Sequence, residues 1–219
     1  MTDARAIDIA ARFDRAFSTL PLVAILRGLK PVEAEEVGVT LYEAGFRLIE
    51  VPLNSPDPFA SIATIRRRLP PDALVGAGTV LTVEAVKRLA EIGADLVVMP
   101  HADTAVIRAA KAHNLICAPG VATATEAFAA LAAGADALKL FPAEMIPPAI
   151  VKALRAVLPR DLRLLPVGGV TPDTMRAYVD AGAAGFGLGS ALYSPGLPVE
   201  HIAVRAKRFV EAWAALNAE

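Results

Sequence analysis

Lys139 lies between two leucines in Ala137-Leu138-Lys139-Leu140-Phe141-Pro142, a run that otherwise reads as a buried strand. A buried ammonium without a partner is costly. Such a lysine snorkels to solvent, enters a structural ion pair, or has its pKa lowered until the neutral amine can attack a carbonyl as a Schiff-base nucleophile. Its company bears on the choice. Arg27 ends one apolar run, Glu50 falls late in another, and Thr79 closes Gly76-Ala77-Gly78-Thr79. Taken singly, each has an ordinary structural role as ion-pair partner or helix cap. Two glycine-rich turns, Gly168-Gly169 and Gly187-Leu188-Gly189-Ser190, let backbone N–H groups approach an anion closely. The set offers a carbonyl-seeking amine, a carboxylate for proton transfer and a phosphate seat. No G-x-x-x-x-G-K-[ST] element points to nucleotide triphosphates. Of three histidines only His101 falls near this group, and one histidine does not make a metal site, so no metal is expected.

The elements that must position these residues alternate regularly. Apolar runs at 21–27, 46–53, 73–79, 94–99, 114–119, 135–141, 162–167 and 184–189 read as strands, each followed by an amphipathic stretch of helical length. Ser55-Pro56 reads as an N-cap with proline at the first helical position, Asp103 as another cap, and Thr123-Ala124-Thr125-Glu126 as a capping box. Eight strand–helix units with continuously apolar strands predict an α/β fold, an eight-stranded parallel (β/α)8 TIM barrel with an extra N-terminal helix. The expected organisation is one domain over 1–219, with the helix at 1–20 and the barrel at 21–219. A doubly wound sheet is the main rival, but it usually has fewer strands and its G-x-G-x-x-G fingerprint is missing. In such barrels the chemistry collects where strands end, and the loops after strands seven and eight hold phosphate.

Composition sets outer limits. Of 219 residues 55% are hydrophobic, and 22 basic side chains nearly balance 23 acidic ones. No basic stripe suggests nucleic acid or a membrane surface. No apolar run is long enough to span a bilayer. Charges recur through 1–20, which therefore reads as an amphipathic surface helix rather than a signal peptide. The single cysteine, Cys117, cannot form an intramolecular disulfide and reads as a small core residue. The cytoplasm is the default location.

The motifs, in order, resemble the class I aldolases that act on 2-keto-3-deoxy-6-phospho sugar acids. The resemblance is carried by Ala24-Ile25-Leu26-Arg27-Gly28, Glu50-Val51-Pro52-Leu53-Asn54-Ser55-Pro56, Gly76-Ala77-Gly78-Thr79, Leu138-Lys139-Leu140-Phe141-Pro142, Gly168-Gly169-Val170 and Gly187-Leu188-Gly189-Ser190. It runs from about residue 20 to 196 and leaves out the N-terminal helix. It implies the same barrel, usually a homotrimer, with Lys139 as the Schiff-base lysine and Glu50 as the acid/base glutamate. Substrate contacts fall on Arg27 and Thr79. Phosphate contacts fall on Gly169, Gly189 and Ser190, with Gly168 completing the turn. The phosphogluconate branch typically has an arginine where this chain has Asn54, and a threonine where it has Val167. Both departures resemble the phosphogalactonate branch, whose substrate differs at C4. A hydroxyl-bearing side chain can hydrogen-bond one C4 epimer and valine cannot.

The resemblance implies cleavage of 2-dehydro-3-deoxy-6-phosphogalactonate to pyruvate and glyceraldehyde 3-phosphate, with no cofactor because the imine itself accepts the electrons. Alternatives stay open at this point: the phosphogluconate epimer or both epimers as substrate, another phosphate-binding barrel enzyme such as an isomerase or synthase, or a non-catalytic sugar-phosphate sensor.

Overall fold

The computed structural model describes residues 9–216. Nine short strands occur among them: β1 (Leu22–Ile25), β2 (Leu48–Pro52), β3 (Leu74–Gly78), β4 (Leu96–Val98), β5 (Ile116–Ala118), β6 (Gly120–Val121), β7 (Leu138–Leu140), β8 (Leu164–Pro166) and β9 (Phe186–Leu188). The helices are α1 (Ile9–Thr19), α2 (Pro31–Glu43), α3 (Pro58–Arg68), α4 (Val83–Glu91), α5 (Thr104–Ala112), α6 (Ala124–Ala132), α7 (Pro148–Arg155), α8 (Met175–Asp180) and α9 (Val199–Leu216). Side chains set many of the helix starts. Thr82 accepts from the Ala85 N–H, Asp103 from Ala105 and Val106, and Thr123 with Glu126 forms the expected capping box. The expected Ser55 cap does not form. The third helix starts later, at Pro58, and Ser55 Oγ instead accepts the Gly28 N–H at 2.9 Å, tying the loop after β2 to the loop after β1.

The strands do not form one closed eight-stranded barrel. They form two parallel sheets, six strands in the order β5-β4-β3-β2-β1-β9 and three in the order β6-β7-β8. This is a variant of the (β/α)8 arrangement and corrects the uninterrupted barrel expected from the sequence. Proline lies at both seams, where its missing N–H removes a ladder donor. Pro119 splits the fifth expected strand, so that β5 pairs with β4 while β6 pairs with β7. Pro166 ends β8, and that edge meets the β9 segment through an isolated bridge between Val167 and Gly187 and a hydrogen bond from the Ala184 N–H to Leu164 O at 2.9 Å.

Side chains alternate across each strand with a period of two. One set faces outward to the helices and includes Leu22, Ala24, Ile49, Val51, Val75 and Leu138. The other faces inward: Val23, Leu48, Leu74, Leu96, Val98, Ile116, Ala118, Ala137 and Leu165 pack together with Phe13, Ala16 and Phe17 of α1. The N-terminal helix is therefore no mere surface element; it seals the end where the strands begin. Residues 1–8 of the expected helix lie outside the described residues.

Candidate active site

The inward register that builds this apolar plug also positions the residues expected at the site. Two residues along from Ala137 on β7 is Lys139, two from Leu48 on β2 is Glu50, and two from Leu165 on β8 is Val167. All three therefore face the interior above the plug, toward the ends of their strands. Lys139 pairs with Gly120 on one side and Leu165 on the other, while Glu50 pairs with Ile25 and Gly76. Lys139 is 5% exposed and Glu50 1%.

Burial dominates the electrostatics of both. Desolvation lowers the Lys139 pKa; Glu50 opposes that shift and the Arg27 charge reinforces it. Desolvation pushes Glu50 up from 4.5 to about 7, against the pull of Lys139, Arg27 and a backbone hydrogen bond from Gly78. Glu50 Oε2 is buried with no hydrogen-bond partner among the described residues. The result is a carboxylate near half-protonation at neutral pH beside an amine shifted toward its neutral form. The Lys139 ammonium also lies 4.4 Å from the centre of the Phe141 ring.

Gly78 explains part of the Gly-Ala-Gly-Thr motif. A Cβ there would overlap the Glu50 carboxylate, and one on Gly76 would strike the Leu96 backbone. The sequence drew attention to Thr79, yet the glycines make room for Glu50 and the neighbouring strand. Thr79 itself is half-buried at the end of β3, with a left-handed φ of 53°. Strained non-glycine residues of this kind persist only where their surroundings over-determine them.

A cavity of about 570 Å³ opens above Lys139. It brings together Arg27, Lys139, Val167, Gly168, Gly169, Gly189 and Ser190 from the expected set. Glu50, Asn54 and Thr79 are not in its lining. Asn54 is exposed, and its Oδ1 accepts from Arg27 Nη1 at 2.8 Å, so it bears on the cavity through Arg27. Gly168 and Gly169 have φ values of 115° and 62°, which only glycine adopts readily. The lining also contains Phe141, Glu144, Thr171, Tyr193 and Ser194, which the sequence did not single out. Phe141 lay in view inside the lysine motif. The others sit in loops past the strand ends, where no periodic pattern marks them. Among the described residues no three His, Cys, Asp or Glu side chains group as a metal site, and no helix is long and apolar enough to cross a membrane.

Comparison with known proteins agrees with this geometry. The family model for KDPG and KHG aldolase matches residues 13–203. A probable 2-dehydro-3-deoxy-6-phosphogalactonate aldolase of Rhizobium meliloti (strain 1021) is 50% identical over 90% of this chain and 92% of its own length. The 2-dehydro-3-deoxy-6-phosphogalactonate aldolase of Escherichia coli (strain K12) is 50% identical over 89% of this chain and 95% of its own. A solved native KDPGal structure superposes with a TM-score of 0.89 at 49% identity, covering 90% of this chain and 96% of that one. The 2-keto-3-deoxy-6-phosphogluconate aldolase of Zymomonas mobilis ZM4, solved with 3-phosphoglycerate, superposes at 0.80 with 29% identity, covering 92% and 94%. With a buried lysine lining the cavity and electrostatically coupled to a buried glutamate, and relatives at half identity along nearly the whole length, the chain belongs to the KDPG and KHG aldolase family of carbon–carbon lyases.

Proposed function

We propose that Lys139 is the Schiff-base nucleophile and Glu50 the proton carrier of a class I aldolase. The reaction is cleavage of 2-dehydro-3-deoxy-6-phosphogalactonate to pyruvate and glyceraldehyde 3-phosphate. The observation that carries the reading is the pairing of a buried lysine of lowered pKa with a buried glutamate of pKa about 7. The Lys139 amine adds to the C2 ketone, and loss of water from the carbinolamine leaves an iminium. Glu50, directly or through a water, supplies protons for that dehydration and then takes the C4 hydroxyl proton. The C3–C4 bond breaks, its electron pair moves into the iminium to give an enamine, and glyceraldehyde 3-phosphate departs. Protonation at C3 and hydrolysis release pyruvate and restore the amine, so no cofactor is required.

Arg27 is read as a substrate contact held in place by Asn54, and Thr79 as a second contact beside Glu50. Gly168, Gly169, Gly189 and Ser190 are read as the phosphate seat. The positive φ of both glycines in the first turn supports this, as does the phosphorylated compound carried by the Zymomonas relative. Val167 is read as bearing on the C4 epimer, and the two relatives with the phosphogalactonate name support that choice of substrate. The same reading carries a cytoplasmic location and the homotrimer usual in the family, the latter checked by light scattering coupled to size exclusion. The deciding experiment is incubation with pyruvate and borohydride followed by peptide mapping. An adduct on the Lys139 peptide is expected; an adduct on another lysine, or none, overturns the mechanism.

A further inference from the structure

Glu144 stands against the turn just assigned to phosphate. It lies in the 3-10 turn Ala143–Met145 after β7 and lines the same cavity as Lys139 and Arg27. A Cβ on Gly168 would overlap its carboxylate oxygen. One on Gly169 would lie 3.2 Å from its Cγ and 3.3 Å from its other oxygen. The space that the two glycines keep open is thus occupied by a carboxylate. No hydrogen bond or ion pair to that carboxylate is found among the described residues, although its charge, after burial, helps raise the pKa of Tyr178. The backbone beside it is pinned: the Ala143 N–H donates to Val167 O at 2.9 Å, and Tyr178 Oη donates to Ala143 O at 3.0 Å. Any movement of Glu144 therefore falls on its exposed side chain.

We propose that Glu144 is a displaceable internal anion that competes with the substrate's phosphate for the Gly168–Gly169 turn. The inference rests on the phosphate assignment above. A phosphate monoester carries a charge of about −1.5 to −2 at neutral pH, so it and the carboxylate cannot share the turn without strong repulsion. The side chain swings to solvent as the phosphate enters and returns as it leaves. Ground state and transition state both carry the phosphate, so the cost falls on both alike. It weakens binding and hastens release of the phosphorylated product without touching the chemical step. Glu144 thereby tunes discrimination between phosphorylated and unphosphorylated ligands.

The test compares wild type with Glu144→Gln, and with Glu144→Ala as a second variant should the first fold poorly. Four quantities are read: KM and kcat for the 6-phosphorylated substrate, the inhibition constant of inorganic phosphate, and the rate of borohydride trapping with pyruvate. The proposal expects KM and the phosphate inhibition constant to fall together by about three- to tenfold, a contrast that shrinks with added salt. It expects kcat and pyruvate trapping to stay within about twofold, because neither uses the turn differently in its ground and transition states. Equal phosphate inhibition in wild type and variant would remove the competition while leaving the phosphate seat standing. A rise in KM and in the inhibition constant would make Glu144 a substrate contact instead. Absence of phosphate inhibition in every protein would overturn the phosphate seat, and this proposal with it.

Discussion

Two buried carboxylates, Glu50 on β2 and Asp95 just before β4, lie on the two strands that flank β3 and are treated in opposite ways. Asp95, just before β4, receives Arg12 at 2.6 Å, Arg66 at 3.0 Å and the Val75 N–H at 3.1 Å. Arg12 comes from α1 and also donates to the carbonyls of Pro71 and Ala73, so this carboxylate fastens the N-terminal helix to the sheet. Glu50 faces Lys139 and Arg27 across a desolvated space, with one oxygen unpartnered and a pKa near neutrality. A satisfied buried charge fixes structure, whereas an unsatisfied one remains free to change protonation state. The difference separates the end that holds the fold from the end proposed to do chemistry.

The largest effect tests the reactive end. Lys139→Ala should reduce turnover to the uncatalysed background and abolish borohydride trapping, with an unchanged circular dichroism spectrum. The same change removes a cation that holds the Glu50 pKa down, so Glu50 should titrate above about 7 in the variant, followed by carboxyl NMR. Retained turnover would place the nucleophile elsewhere.

Glu50→Gln should lower kcat by about a hundredfold or more, the usual scale for a proton-transfer group. It should also remove an ascending limb near pH 7 from the wild-type kcat/KM profile, where the free enzyme's Glu50 loses its proton. The stability effect has the opposite sense to that of a salt-bridged carboxylate. The folded pKa lies above the ordinary 4.5, so the folded state retains a proton that the unfolded chain releases between about pH 4.5 and 7. Stability from this group is present below that window and lost as pH rises through it, by on the order of 3 kcal/mol. The glutamine variant lacks this loss, so its Tm advantage over wild type should open between pH 5 and 8. A constant difference across that range would mean that Glu50 is not held protonated by burial.

Asp95→Ala should do the reverse, costing about 3 kcal/mol or more of unfolding free energy in urea while leaving kcat close to wild type. The two arginines it strands are partly exposed, which keeps the cost toward the lower end. A fall in kcat at full stability would break the division between the two ends.

Much of this arrangement is visible in the sequence, for identifiable reasons. Lys139 and Glu50 stand out because charged residues in apolar strands violate the local pattern, and such violations collect at functional sites. Each expected apolar run contains a strand, since continuous hydrophobic stretches bounded by glycine and proline leave few other choices. Sheet closure was not legible: Pro119 and Pro166 were in plain view, but which ladder a proline interrupts depends on pairing register rather than on composition. The start of α3 was misplaced because Ser55 had two possible uses, and it serves the neighbouring loop. Glu144 and Tyr193 do not stand out because polar residues in a loop look alike until folding brings a few of them to one cavity. Asn54 stands out in the sequence as a departure from the phosphogluconate branch, but its hydrogen bond to Arg27 exists only in three dimensions.

The smallest expected effect asks whether the reactive end also chooses the epimer. Val167 is buried at the cavity wall, and its methyl groups occupy the space left by the absent side chain of Gly187. Its backbone is fixed from both sides, donating to Leu140 O at 3.0 Å and accepting from the Ala143 N–H at 2.9 Å. Val167→Thr therefore introduces a hydroxyl at nearly constant volume on a rigid support, so chemistry changes more than packing does. A new hydrogen bond to the C4 hydroxyl contributes about 0.5–1.5 kcal/mol, or up to about tenfold in relative kcat/KM. Both 6-phosphorylated epimers are to be assayed on both proteins under one condition. Wild type should prefer the galactonate epimer, and the variant should move the ratio toward the gluconate one. A wild-type preference for gluconate would reverse the epimer assignment and leave the aldolase mechanism intact. An unchanged ratio in the variant would leave the assignment standing and move the source of selectivity away from Val167, toward the Arg27–Asn54 pair.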